Sequence, residues 1–145
     1  MTSRVKYPFA LMAVFMWIGF VGAISFMESW LKFRAPGLTQ PVALEIGRLV
    51  FGALNKVEWV FALIIVMHTV FDKQRTMKRE LLWIGIPILM LILQTIWLLP
   101  ALGVRTNLQI QGGVVGPSYL HFYYVGMEMI KVVFLFIFGF KLFKY

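Results

Sequence analysis

Six side chains able to carry charge or exchange a proton interrupt apolar sequence in the second and last quarters of the chain. They are Arg48, Glu58, His121, Tyr124, Glu128 and Lys131, with the amides Asn55 and Gln94 in similar surroundings. Carboxylate, ammonium, imidazole and amide groups can hold a proton, a polar headgroup or one another. A lone charge at the centre of a bilayer costs about 2.5–3.5 kcal/mol, so groups like these must face inward and find partners.

Their spacing predicts where they meet. His121, Tyr124, Glu128 and Lys131 are separated by 3, 7 and 10 residues from the first, which on a helix keeps all four within roughly an 80° arc. Arg48, Asn55 and Glu58 repeat the 7 and 10 spacing on an earlier segment. If both segments enter the bilayer from the same side, Glu58 and Lys131 lie at one depth, about 15 Å below His121 at ~1.5 Å per residue. The sequence therefore predicts a Glu58–Lys131 pair, Asn55 hydrogen-bonded near Glu128, Gln94 in the same layer, and Arg48 with His121 at the mouth of an outward-facing pocket. Lys56 falls on another side of its helix and is expected to extend towards headgroups.

Four apolar runs must position these groups: Phe9 to Trp30, Leu49 to Phe71, Leu81 to Leu99 and Tyr119 to Phe143. Each is long enough to cross a hydrocarbon core about 30 Å thick as a helix. The expected architecture is an all-α four-helix transmembrane bundle in one domain, residues 1–145, with helices over 7–33, 42–71, 81–99 and 118–143. Gly19, Gly22 and Ala23 offer a small-residue surface for a neighbouring helix. Pro41 suits a helix first turn, Pro100 is expected to end the third helix, and the stretch 101–118 reads as a loop. Ser118 is expected to cap the start of the fourth helix. The basic head and apolar stretch of the first 26 residues resemble a signal peptide, but the apolar run exceeds the usual ~7–15 residues and further spans follow. It is read as a retained first helix.

Composition agrees with that architecture: 61% of residues are hydrophobic and 14% charged, against roughly 45–50% and 25% in a soluble domain. The net charge of +8 has a topological explanation that leaves nucleic acid unneeded as a partner. Arg4, Lys6, Lys73, Arg75, Lys78, Arg79, Lys141 and Lys144 cluster at the termini and the middle connection, whereas Lys32, Arg34 and Arg105 lie in the other two. By the positive-inside rule both termini are expected in the cytoplasm, and a bacterial chain of this kind would lie in the inner membrane.

Several chemistries lack their residues. Without cysteine there is no disulfide, thiolate metal site or thiol nucleophile. No phosphate-binding glycine loop, paired-histidine zinc motif or nucleophile elbow is present. No metal or cofactor is predicted. His68 and His121 invite a haem assignment, but their helix positions set them roughly 25 Å apart along the membrane normal. The nine methionines, scattered among Leu and Phe, read as lipid-facing packing.

Two resemblances add expectations. Trp17-Ile18-Gly19, Pro36, Gly47-Arg48-Leu49-Val50-Phe51, Trp97 to Pro100, Arg105 and Leu120-His121-Phe122-Tyr123 together resemble the transmembrane protein 205-like family. That likeness implies a four-helix membrane bundle and carries no settled chemistry. Glu45, Arg48, Asn55 and Glu58 resemble the second helix of the membrane-associated eicosanoid and glutathione enzymes. That likeness implies a trimer binding glutathione between subunits.

The reading that joins these observations is a small non-enzymatic membrane protein. Its polar cluster of Arg48, Asn55, Glu58, Gln94, His121, Tyr124, Glu128 and Lys131 would bind an amphiphile, a headgroup or a proton, or the chain would serve a larger membrane complex or homo-oligomer as an accessory subunit. A haem- or quinone-associated redox subunit and a glutathione-dependent membrane enzyme are the alternatives.

Overall fold

A computed structural model describes residues 4–5, 7–71 and 81–144. Four long helices dominate it: α1 (Pro8–Arg34), α2 (Gln40–Val70), α3 (Leu81–Ile110) and α4 (Leu120–Lys141), each long and apolar enough to cross a membrane. The charged turn expected at 72–80 lies outside the described residues. Two short strands, β1 (Arg4–Val5) and β2 (Phe143–Lys144), pair antiparallel and bring the two ends of the chain to one end of the bundle.

Helix starts and stops follow local chemistry. Pro41 sits in the first turn of α2, where its missing N–H leaves no intrahelical bond unmade. Gly37, at φ +80°, turns the chain between α1 and α2, and Gly112, at φ +78°, stops α3, both in a region that L side chains rarely enter. At the start of α4 the Leu120 amide donates to Ser118 Oγ over 3.2 Å.

The third helix departs from expectation, because Pro100 does not end it. The chain stays helical to Ile110. Immediately before the proline, residues Gln94–Leu98 widen into a π-helical turn, and the Leu99 amide donates five residues back to the Gln94 carbonyl. An inserted residue of this kind relieves the clash and lost bond that a proline imposes on a regular helix. The stretch expected to be loop is thus a helical extension, and only residues 111–119 connect α3 to α4. A second π-helical segment, Gly22–Glu28, lies in α1. There the Ser29 hydroxyl donates to the Ser25 carbonyl over 2.7 Å.

Consecutive helices pack side by side, and α1 also packs on α4. That leaves α2 facing α4, and α1 facing α3, across the middle of the bundle. Close approach of α1 and α4 depends on Gly139, where a Cβ would come within 3.2 Å of Val14. The small-residue surface expected on α1 is used differently: a Cβ at Gly19 or Gly22 would meet nothing within 4 Å. That face looks away from the other helices.

The bundle presents large apolar side chains on its outside and buries a cluster of charged ones within. Leu63, Leu82, Ile96 and Phe140 are exposed, while Gln94, Glu58, Glu128 and Lys131 are buried. Such an arrangement is unfavourable in water and suits hydrocarbon, where backbone groups are satisfied inside helices and ionisable side chains face one another. The protein is a multi-pass helical membrane protein.

Candidate functional site: a polar layer beneath a cavity at one end of the bundle

All four helices contribute to one buried polar layer. Lys131, on α4, sits between two carboxylates: it contacts Glu58 of α2 directly and lies 3.0 Å from Glu128 on its own helix. The Trp17 indole of α1 donates to Glu58 Oε1 over 2.7 Å. The Gln94 amide of α3 donates to Glu128 Oε1 over 2.8 Å. Side chains of Glu58, Glu128 and Lys131 are at most 1% exposed, so this is a dry electrostatic unit rather than a surface ion pair.

Depth matching in the sequence brings Glu58 and Lys131 together, and the structure adds that they do so across the bundle rather than along a helix–helix contact. Asn55 is placed differently from expectation. Its amide donates to the Thr95 hydroxyl of α3 over 3.0 Å instead of approaching Glu128. Trp59 donates to the same hydroxyl over 3.0 Å, and Thr95 donates back to the Leu91 carbonyl. Gln94, at the start of the π-helical turn, takes the place beside Glu128.

Sequence reasoning missed Trp17, Thr95 and Ser25. A tryptophan or a threonine in an apolar run reads as packing, and nothing in its spacing reveals that its N–H or O–H is aimed inward. Tyr124 is buried one turn outward of the layer, 4.8 Å from the Phe51 ring between centroids and beside Ser25 and Glu128. Lys56 is exposed, away from the layer.

On the chain-end side of the layer the interior is built mainly from apolar side chains, among them Val14, Phe61, Ile65, Ile84, Leu135 and Phe138. On the opposite side it opens. A cavity of about 490 Å³ lies among α1, α2, the α3 extension and the first turn of α4. Its cationic lining is Lys32, Arg48 and Arg105, with His121 beside them, and its apolar walls include Leu44, Phe51, Leu99 and Leu102. Arg48 and His121 therefore line one pocket, as their positions at matching helix depths predict. Lys32 and Arg105 join them only because α1 and α3 extend this far.

The cations are held in place. Lys32 pairs with Glu28 at 3.3 Å and lies over the Phe51 ring at 5.0 Å. Arg48 engages Glu45 with two nitrogens, one at 2.8 Å. Arg105 donates to the Gly116 carbonyl, tying the α3–α4 connection to the cavity wall. Gly47 keeps the wall thin: a Cβ there would fall 2.6 Å from Lys32 Nζ.

His68 lies in the last turn of α2 and stacks on Phe9 at 5.4 Å, while His121 lies in the first turn of α4. Because α2 and α4 run in the same direction, the two imidazoles are at opposite ends of the bundle. Among the described residues there is no group of three or more His, Asp or Glu side chains able to hold a metal ion. No protein-family model, curated protein or solved structure matches the chain.

Proposed function

We propose that the protein is a non-enzymatic membrane binding protein that takes the anionic head of a single-chain amphiphile into the cavity at the outer end of the bundle. The observation that carries this reading is the cavity itself. Three cationic side chains and an imidazole stand over apolar walls, in a volume within the ~300–1,000 Å³ usual for small-ligand sites. Arg and Lys provide the charge-assisted hydrogen bonds that a phosphate or carboxylate prefers. Leu44, Phe51, Leu99 and Leu102 suit the first methylenes of an acyl chain. A closed apolar core beneath the polar layer favours holding a ligand over passing it across the bilayer.

Orientation belongs to the same reading. The chain ends lie together at the end opposite the cavity. The basic residues around those ends assign them to the cytoplasm, so the cavity faces the outer headgroups.

The test is a thermal-shift and native mass-spectrometry titration of the detergent-purified protein with lysophosphatidic acid, lysophosphatidylcholine and inorganic phosphate. The expected result is stabilisation and a bound adduct with lysophosphatidic acid, both reduced at least tenfold in Arg105→Gln. A response to inorganic phosphate alone would identify a free-anion site. Equal responses to the two lipids, or a response that Arg105→Gln leaves intact, would overturn the reading.

A further inference from the structure

Beneath the cavity, the polar layer has an unbalanced charge and an unbalanced hydrogen-bond inventory. Two carboxylates, Glu58 and Glu128, share the single ammonium of Lys131, and all three side chains are buried. Fully ionised, the unit carries one net negative charge in a low-dielectric interior, an arrangement that like-charged carboxylates relieve by retaining a proton. The other groups facing it supply no second positive charge. They are Trp17 and Ser25 from α1, Asn55 from α2, Gln94 from α3 and Tyr124 from α4.

The orphaned atoms point the same way. Glu58 Oε2, Glu128 Oε2, Gln94 Oε1 and Ser25 Oγ are buried without a hydrogen-bond partner. Three of these four are acceptor-only, and the hydroxyls of Ser25 and Tyr124 are two neutral donors nearby, one fewer than the unpaired acceptors. Gln94 already donates to Glu128 Oε1, and the unpaired atoms Gln94 Oε1 and Glu128 Oε2 are the other arms of the same two groups.

We infer that the Glu58–Lys131–Glu128 unit is a proton-binding site that holds one exchangeable proton at neutral pH, shared between its two carboxyl groups. The unit is then electrically neutral. This site does not depend on what occupies the outer cavity.

Infrared difference spectroscopy of the reconstituted protein, exchanged between H₂O and D₂O at neutral pH, reads the proton directly. Wild type is expected to show the carbonyl stretch of a protonated carboxylic acid, shifted down by deuterium. The band is lost in Glu128→Gln, and lost also in Glu58→Gln, where the remaining carboxylate pairs with Lys131 and ionises. Absence of the band in wild type overturns the inference. Its persistence in either Glu128→Gln or Glu58→Gln overturns the charge argument.

Discussion

Glu58 and Lys131 meet across the centre of the bundle, from helices that face each other without packing side by side. Only long side chains span that gap, and Trp17 and Glu128 close around the contact. The charge pair therefore links α2 to α4 while tying α1 and α3 to the same point. Its removal should be felt by all four helices.

Lys131→Met leaves a buried carboxylate without its ammonium and is expected to cost about 3 kcal/mol, the low end of the range for breaking a buried ion pair. Glu58→Gln leaves the Glu128–Lys131 contact intact and should cost under about 1 kcal/mol. Thermal unfolding in detergent checks both. The triple change Lys131→Met, Glu58→Gln, Glu128→Gln should recover most of the loss. A triple variant as unstable as the sum of its parts would show that the charges are not coupled.

Trp17→Phe removes the indole donor to Glu58 while keeping an aromatic ring. A hydrogen bond to a charged group contributes about 1.5–3 kcal/mol, so a loss of about 2 kcal/mol is expected. In the Glu58→Gln background the same substitution should cost clearly less, and an unchanged cost would assign the role of Trp17 to packing alone.

Pro100→Ala tests the account of the π-helical turn. A proline in a regular helix interior costs about 3 kcal/mol relative to alanine. Because the turn at Gln94–Leu98 already absorbs the missing bond, the substitution should stabilise by much less than that. A gain near the full value would mean that the widened turn relieves nothing.

Gly52→Leu projects a side chain into the cavity, since a Cβ at Gly52 meets nothing within 4 Å and the residue lines the wall. Unfolding temperature should hold or rise, as leucine favours the helix over glycine by up to about 1 kcal/mol. Binding of lysophosphatidic acid should fall at least tenfold. Undiminished binding would place the lipid elsewhere.

Orientation is checked by labelling, which the cysteine-free sequence makes simple. Val114, in the α3–α4 connection, is fully exposed. Val114→Cys should react with a membrane-impermeant maleimide in intact cells. Labelling only after the membrane is opened would reverse the proposed topology.

What the sequence determined by itself was the set of crossings and the depth of the charges. Helical rise and the thickness of hydrocarbon are fixed lengths, so the apolar runs count out four spans, and residue numbers place Glu58 level with Lys131. Tertiary structure decided the partners. Trp17 and Thr95 enter the layer through helix rotation, and at Thr95 that rotation falls within the widened turn, which no periodicity reveals. It also decided that Pro100 lies within a helix rather than at its end. Without that extension Leu102, Arg105 and Thr106 would not form a wall, and the cavity would have no third side. Local rules give proline one meaning, and only the backbone around it, already widened before it arrives, gives it the other.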